Sequence, residues 1–163
     1  MVFDELWEKS YSFPSDCVVE LHDILKREGG VGLAKAGVKV LSLDDLERKN
    51  KPVQPHPSVD MAIVVKDKDS DKKARLLLCE FKFRQDNVSN LKKKDLEDKV
   101  LHSRSLLVGN SVDKKVYFLF SKEQYQRARS LFERNFYSCG PCKGLRVVQT
   151  ENAFVEMLSV ARK

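Results

Sequence analysis

An α/β fold, with a mixed central β-sheet flanked by helices on both faces, is what this sequence predicts, and three observations predict it. Segments of strand character alternate with segments of helical spacing. Three of the strand segments are apolar on consecutive residues, as strands buried on both faces are. The later strands are separated by helical segments, the crossovers that parallel pairing requires. The chain has 163 residues, 42% of them hydrophobic, which fits one domain over 1–163 with a core of about 16–120 and a C-terminal strand and helices in 121–163.

Ser15 and Asp16 can cap a helix to about Glu28, before Gly29-Gly30 stops it. Cys17, Val18, Leu21, Ile24 and Leu25 are its apolar stripe, with Glu20 at the stripe's edge. Val38 to Leu43 reads as a first strand. Asp44 to Pro57 is polar, holds Pro52, Pro55 and Pro57, and reads as a connecting loop. Val59 to Val65 is a second strand, and Lys66 to Lys73 a charged turn into its hairpin partner, Ala74 to Phe83. A helix from about Leu91 to Leu107 turns Leu96, Val100 and Leu107 inward and carries Lys92, Lys93, Lys94 and Lys99 on a basic side. Val116 to Phe120 is a buried strand, Glu123 to Phe136 an amphipathic helix, Leu145 to Val148 a last strand and Glu151 to Val160 a final helix.

The chemistry is concentrated in the hairpin. Leu76 and Leu78 lie on one face of its second strand, and Leu77, Cys79, Phe81 and Phe83 on the other. Glu80 and Lys82 therefore emerge together where the pattern calls for more leucine. Breaking a buried ion pair costs about 3–5 kcal/mol, against a whole-domain stability of about 5–15 kcal/mol, so charges kept there imply a use. Asp60 opens the neighbouring strand and can reach the Glu80 end of its partner. Two carboxylates and a carbonyl are hard oxygen donors of the kind Mg²⁺ or Mn²⁺ prefers. A lysine beside them can orient a water and stabilise charge on phosphate.

At these residues the chain resembles the PD-(D/E)XK nuclease superfamily, the restriction-endonuclease-like fold. Asp60 followed by Glu80-Phe81-Lys82, in the order helix-strand-strand-strand-helix-strand, carries the resemblance over roughly Asp16 to Phe120. The resemblance implies that Asp60 and Glu80 bind Mg²⁺ or Mn²⁺, with the Phe81 carbonyl as a further ligand, and that Lys82 serves the attacking water. It implies an added acid from the first helix, for which Glu20 is the positional match. It also implies substrate contacts from lysines on the following helix, Lys94 and Lys99. Val59 stands immediately before Asp60 and Pro57 is displaced upstream, so the literal Pro-Asp pair is absent.

The expectation is a metal-dependent nuclease hydrolysing phosphodiester bonds, DNA favoured, as an Mg²⁺-dependent endo- or exodeoxyribonuclease. The alternative is a non-catalytic nucleic-acid-binding or assembly module on the same fold. A formal net charge of +6 agrees with a nucleic-acid partner, and cutting both strands would favour a homodimer. The acidic N-terminus and the lack of a long apolar stretch predict no signal peptide and no membrane span. Four cysteines without a regular framework fit a reducing, cytoplasmic setting. Cys139-Gly140-Pro141-Cys142 follows a helix and precedes a strand, the reverse of the thioredoxin context, and reads as a Gly-Pro turn. A zinc site there would need two more ligands from Cys17, Cys79, His22, His56 and His102, none at a supporting spacing.

Overall fold

The apolar run that contains Glu80 forms β4 (Arg75–Lys82), and every residue of it from Leu76 to Phe81 is buried. The computed structural model describes residues 11–30, 37–65, 73–84, 86–136 and 145–149. Within them β1 (Val18–Glu20), β2 (Lys39–Ser42), β3 (Met61–Val65), β4, β5 (Val112–Phe120) and β6 (Leu145–Gln149) lie in one sheet in chain order. Neighbours from β1 to β4 are antiparallel, while β5 lies parallel to β4 and β6 parallel to β5. The mixed sheet follows from the connections, since the β3–β4 hairpin reverses the chain and a helical crossover restores its direction.

Four α-helices accompany these strands among the described residues: α1 (Leu21–Glu28), α2 (Leu43–Asn50), α3 (Lys93–Leu106) and α4 (Lys122–Leu131). The side-chain alternation of the strands divides the core in two. On one face Leu41, Ala62, Val64, Leu76, Leu78, Val116, Phe118 and Phe120 pack with Leu43 and Leu46 of α2, Leu96 and Val100 of α3, and Ala128 of α4. On the other, Val40, Met61, Ile63, Leu77, Cys79, Phe81 and Leu119 pack with Leu21, Ile24 and Leu25 of α1. Helices thus cover both faces, and Glu80 and Lys82 share the α3 side with Leu76 and Leu78. No helix among the described residues is long and apolar enough to cross a membrane.

Two expectations are corrected. The segment read as one helix from Ser15 to Glu28 opens with a 3₁₀ turn at Ser15–Cys17 and the strand β1 before α1 begins. Val18 and Val19 are β-branched and stiff in a helix, and β2 offers them Leu41 and Val40 as partners, with Lys39 opposite Glu20. The polar stretch after Ser42 is not all loop, because its first part is α2. Ser42 accepts from the Asp45 N–H at 3.3 Å as an N-cap, Asp44 and Asp45 complement the helix dipole, and Leu43 and Leu46 enter the core. Residues 66–72 of the hairpin turn, the Cys139–Cys142 motif and the Glu151–Val160 helix lie outside the described residues.

Candidate active site

Asp60 sits one residue before β3 in a segment stitched to two helices. Its carbonyl accepts from Leu43 N at the start of α2 (3.2 Å). Val59 N donates to Ser103 Oγ of α3 (2.8 Å), Ser58 Oγ donates to Asp44 Oδ1 of α2 (2.9 Å), and His56 N donates to Glu47 Oε1 (2.8 Å). Every backbone group so held is one that a free loop would leave to water. The ladder ends at Met61 opposite Cys79, and one further step of that register faces Asp60 with Glu80. There Asp60 Oδ2 accepts from the Phe81 N–H at 2.5 Å.

Glu80 is 1% exposed and carries two cations on a single oxygen. Lys82 Nζ donates to Oε1 at 2.5 Å, and Lys99 Nζ, reaching down from α3, donates to the same atom at 2.7 Å. The lysines are 18% and 25% exposed, so their heads stand at the boundary between core and solvent. The second oxygen, Oε2, is buried and has no hydrogen-bond partner among the described residues. A carboxylate oxygen stranded in this way forfeits its hydration without replacement, which is costly unless something else occupies it.

The charges act on one another. Burial pushes the Asp60 carboxyl well above the usual carboxylate range, and repulsion from Glu80 and Glu28 adds to it against the Phe81 hydrogen bond and Lys99. Glu28, at the end of α1, is raised by burial, then by Glu80 and Asp44, with Arg84 and Lys82 opposing. Burial pulls Lys99 down, but Glu80 and Asp60 outweigh it and leave its ammonium above the ordinary lysine value. The Cys79 thiol beneath is pushed up by burial and by the Asp60 charge, so it is an inert packing group.

Asp60, Glu80, Lys82 and Lys99 are therefore brought together, while the other expected residues fall elsewhere. Glu20 lies on β1 and its Oε2 accepts from Gly37 N at 3.1 Å. The acid from this region that bears on Asp60 and Glu80 is Glu28. Lys94 is exposed on the first turn of α3, and Lys99 is engaged by Glu80. Phe81 contributes its N–H to Asp60. Glu28 had one signal in the sequence, an acid in the last turn of a helix, where the dipole disfavours it. Glu47 had none. It is 0% exposed, and Oε2 lies 2.9 Å from His102 Nε2 without the alignment of a hydrogen bond. Burial opposes its ionisation, but the His56 N–H and the His102 ring outweigh it and hold the carboxyl below its ordinary range.

Among the described residues no three His, Cys, Asp or Glu side chains converge closely enough to hold a metal by themselves. What the site does offer is two adjacent carboxylates, of which Asp60 is buried with its ionisation opposed by Glu80, and the orphaned Glu80 Oε2. That donor set fits a hard divalent cation completed by carbonyl and water oxygens, the mode in which Mg²⁺ is usually held. The chain matches no protein-family model, no curated protein and no solved structure.

Proposed function

We propose that this chain is a metal-dependent phosphodiesterase acting on nucleic acid, DNA favoured, on a restriction-endonuclease-like core of the PD-(D/E)XK superfamily. The observation that carries the proposal is Glu80, a fully buried carboxylate with two lysines on Oε1 and, among the described residues, nothing on Oε2, facing a second carboxylate whose ionisation burial and repulsion disfavour. The antiparallel β3–β4 pair, followed by α3 and the parallel strand β5, supports the fold assignment.

Asp60 and Glu80 would hold the cation, with the Phe81 carbonyl and water completing the shell. Bound there, a divalent cation supplies neutralisation of the two acids and Lewis-acid polarisation of a phosphoryl oxygen. The chain's own groups do the rest. Loading would need the ionised Asp60 carboxylate, which burial and Glu80 disfavour, so it would tighten as pH rises. Lys82 spends one N–H on Glu80 and aims its others outward, where they orient the attacking water and lie against a phosphate oxygen as charge builds. Lys99 keeps Glu80 oriented from the far side. The stitched 56–60 segment holds Asp60 in place, so little reorganisation accompanies the reaction.

The test is cleavage of plasmid and of single-stranded substrates with Mg²⁺ or Mn²⁺, comparing the wild type with Lys82→Ala and Asp60→Ala. Loss of cutting in both variants is the expected result, and activity that survives both substitutions refutes the assignment. A second reading, a non-catalytic nucleic-acid-binding or assembly module, is favoured by one observation: both lysines close on Glu80 in an arrangement that is already charge-paired. Titration calorimetry separates the two, because Mn²⁺ binding that disappears with Asp60→Ala belongs only to the first.

A further inference from the structure

A cleft of about 470 Å³, separate from the Glu80 site, lies between the loop that leaves β4 and the helix α4. Asn87, Val88 and Ser89 form one wall, and Gln126, Arg127, Ser130, Leu131 and Arg134 the other. Val88 is buried and Leu131 half-buried, so the cleft has an apolar floor beneath a polar, cationic rim. The walls are tied together, because Gln124 Nε2 of α4 donates to the Asp86 carbonyl at 3.1 Å. The loop is further shaped by Asn87, whose side chain accepts from Ser89 N at 2.9 Å. The cleft is thus built before any ligand arrives.

Its two arginines keep their charge available. Arg127 makes no hydrogen bond or ion pair among the described residues, and Arg134 spends only Nε, on the Ser130 carbonyl at 3.1 Å. Glu133, beside Arg134 in sequence, is taken by Arg129 at 2.8 Å. Asp86, at the loop's start, and Glu123, four residues before Arg127 on α4, are the other acids close in sequence to the cleft. A guanidinium with its terminal N–H groups unspent is the side chain best matched to a phosphate, since it can donate two parallel hydrogen bonds.

The topology aims this rim at the candidate site. β4 and β5 are parallel, with Lys82 paired to Phe120, so the loop and α4 both begin at the end of the sheet where Lys82 stands. Asn87 follows Lys82 by few enough residues that their Cα atoms are at most about 18 Å apart. That is about five base-pair steps of B-DNA, at roughly 3.4 Å each.

We propose that this cleft is a seat for a backbone phosphate of a nucleic-acid strand passing Lys82, with Arg127 and Arg134 as its contacts. The assignment rests on the nucleic-acid reading of the Glu80 site. It adds a second point of attachment that sets where the strand lies relative to the chemistry without reading its sequence. Both arginines are exposed, so replacing them leaves the core intact.

The test is fluorescence anisotropy with fluorescein-labelled DNA, single-stranded and duplex, in EDTA across a salt series. It compares the wild type with Arg127→Ala/Arg134→Ala and with Lys114→Ala, an exposed lysine near the opposite end of β5. Losing two phosphate contacts lowers the slope of log K against log salt by about 1.8 on duplex and weakens binding by tens of fold near about 0.1 M salt. Lys114→Ala is expected to match the wild type, and Arg127→Lys/Arg134→Lys to keep the wild-type slope. A double-alanine variant with wild-type affinity and slope overturns the seat and leaves the nucleic-acid reading standing. A wild-type protein that binds neither DNA at any salt overturns both.

Discussion

Replacing Asp60 by asparagine should make the metal-free protein more stable at pH 8 and blind to Mn²⁺. Asp60 continues the β3–β4 register opposite Glu80, where cross-strand Cβ atoms stand about 5 Å apart. At an effective dielectric of about 20, two charges at that distance repel by about 3 kcal/mol. Asparagine keeps an oxygen for the Phe81 N–H but buries an amide with no assured partner, which returns roughly 1–2 kcal/mol. The net gain is about 1–2 kcal/mol, or about 2–8 °C in Tm for a chain of this size.

The pH dependence has a definite sign. The folded Asp60 value is raised above its ordinary 3.8, so the folded state holds this proton more tightly than the unfolded state. Its contribution to stability is complete below about pH 4 and is lost as pH rises through the raised value. Wild type and Asp60→Asn should therefore converge in acid and separate in base. Mn²⁺ at about 100 times its Kd should restore about 2.7 kcal/mol to the wild type and almost nothing to Asp60→Asn. Thermal melts at several pH values, with and without Mn²⁺, read all of this. A variant less stable than wild type at pH 8, or one that Mn²⁺ stabilises as much, refutes the reasoning.

Other substitutions test neighbouring parts of the same arrangement. Lys99→Met removes one of the two cations on Glu80 and leaves Lys82, so urea unfolding should show a loss of about 2–3 kcal/mol, below the full cost of stranding a buried charge; a loss under about 0.5 kcal/mol would mean Lys99 does not support Glu80. Glu47→Ala leaves the His56 N–H without its buried acceptor and the His102 ring without its adjacent carboxylate, and should cost about 3–5 kcal/mol, measured the same way. Wild-type stability in that variant would show that the 56–60 segment is not anchored through Glu47. Glu28→Gln should flatten the stability–pH profile above about pH 4.5, since the raised Glu28 carboxyl stabilises the fold only while protonated. An unchanged profile from thermal melts would place Glu28 outside the cluster.

Much of this protein is legible along the chain because the relevant physics is local. Consecutive apolar residues from Leu76 to Cys79 announce a strand buried on both faces. Strand alternation alone puts Glu80 and Lys82 on one side of it. The spacing of Leu96, Val100 and Leu107 identifies α3 and its inward face, and the separation of the later strands by helices is enough to make the sheet mixed. Ser42 caps α2 in the structure, whereas along the chain the three prolines that follow make the whole stretch read as loop. Val18 fits a helical stripe with Cys17 and Leu21, and its pairing with β2 is what makes Val18 to Glu20 a strand.

The composition of the candidate site belongs to the other category. Alternation places Glu80 on a face but does not say which residues of distant elements arrive above it. Lys99 meets Glu80 because α3 crosses that face after Leu96 and Val100 have docked. Glu28 joins because α1 packs on the opposite face and ends beside Arg84, just past the end of β4 that carries Glu80. Glu20, the acid a linear reading prefers, is carried off by β1 pairing. Glu80-Phe81-Lys82 is thus a property of the sequence, since one strand suffices to define it. The charge balance around it is a property of the packing, because electrostatic energy depends on distances that no single segment contains.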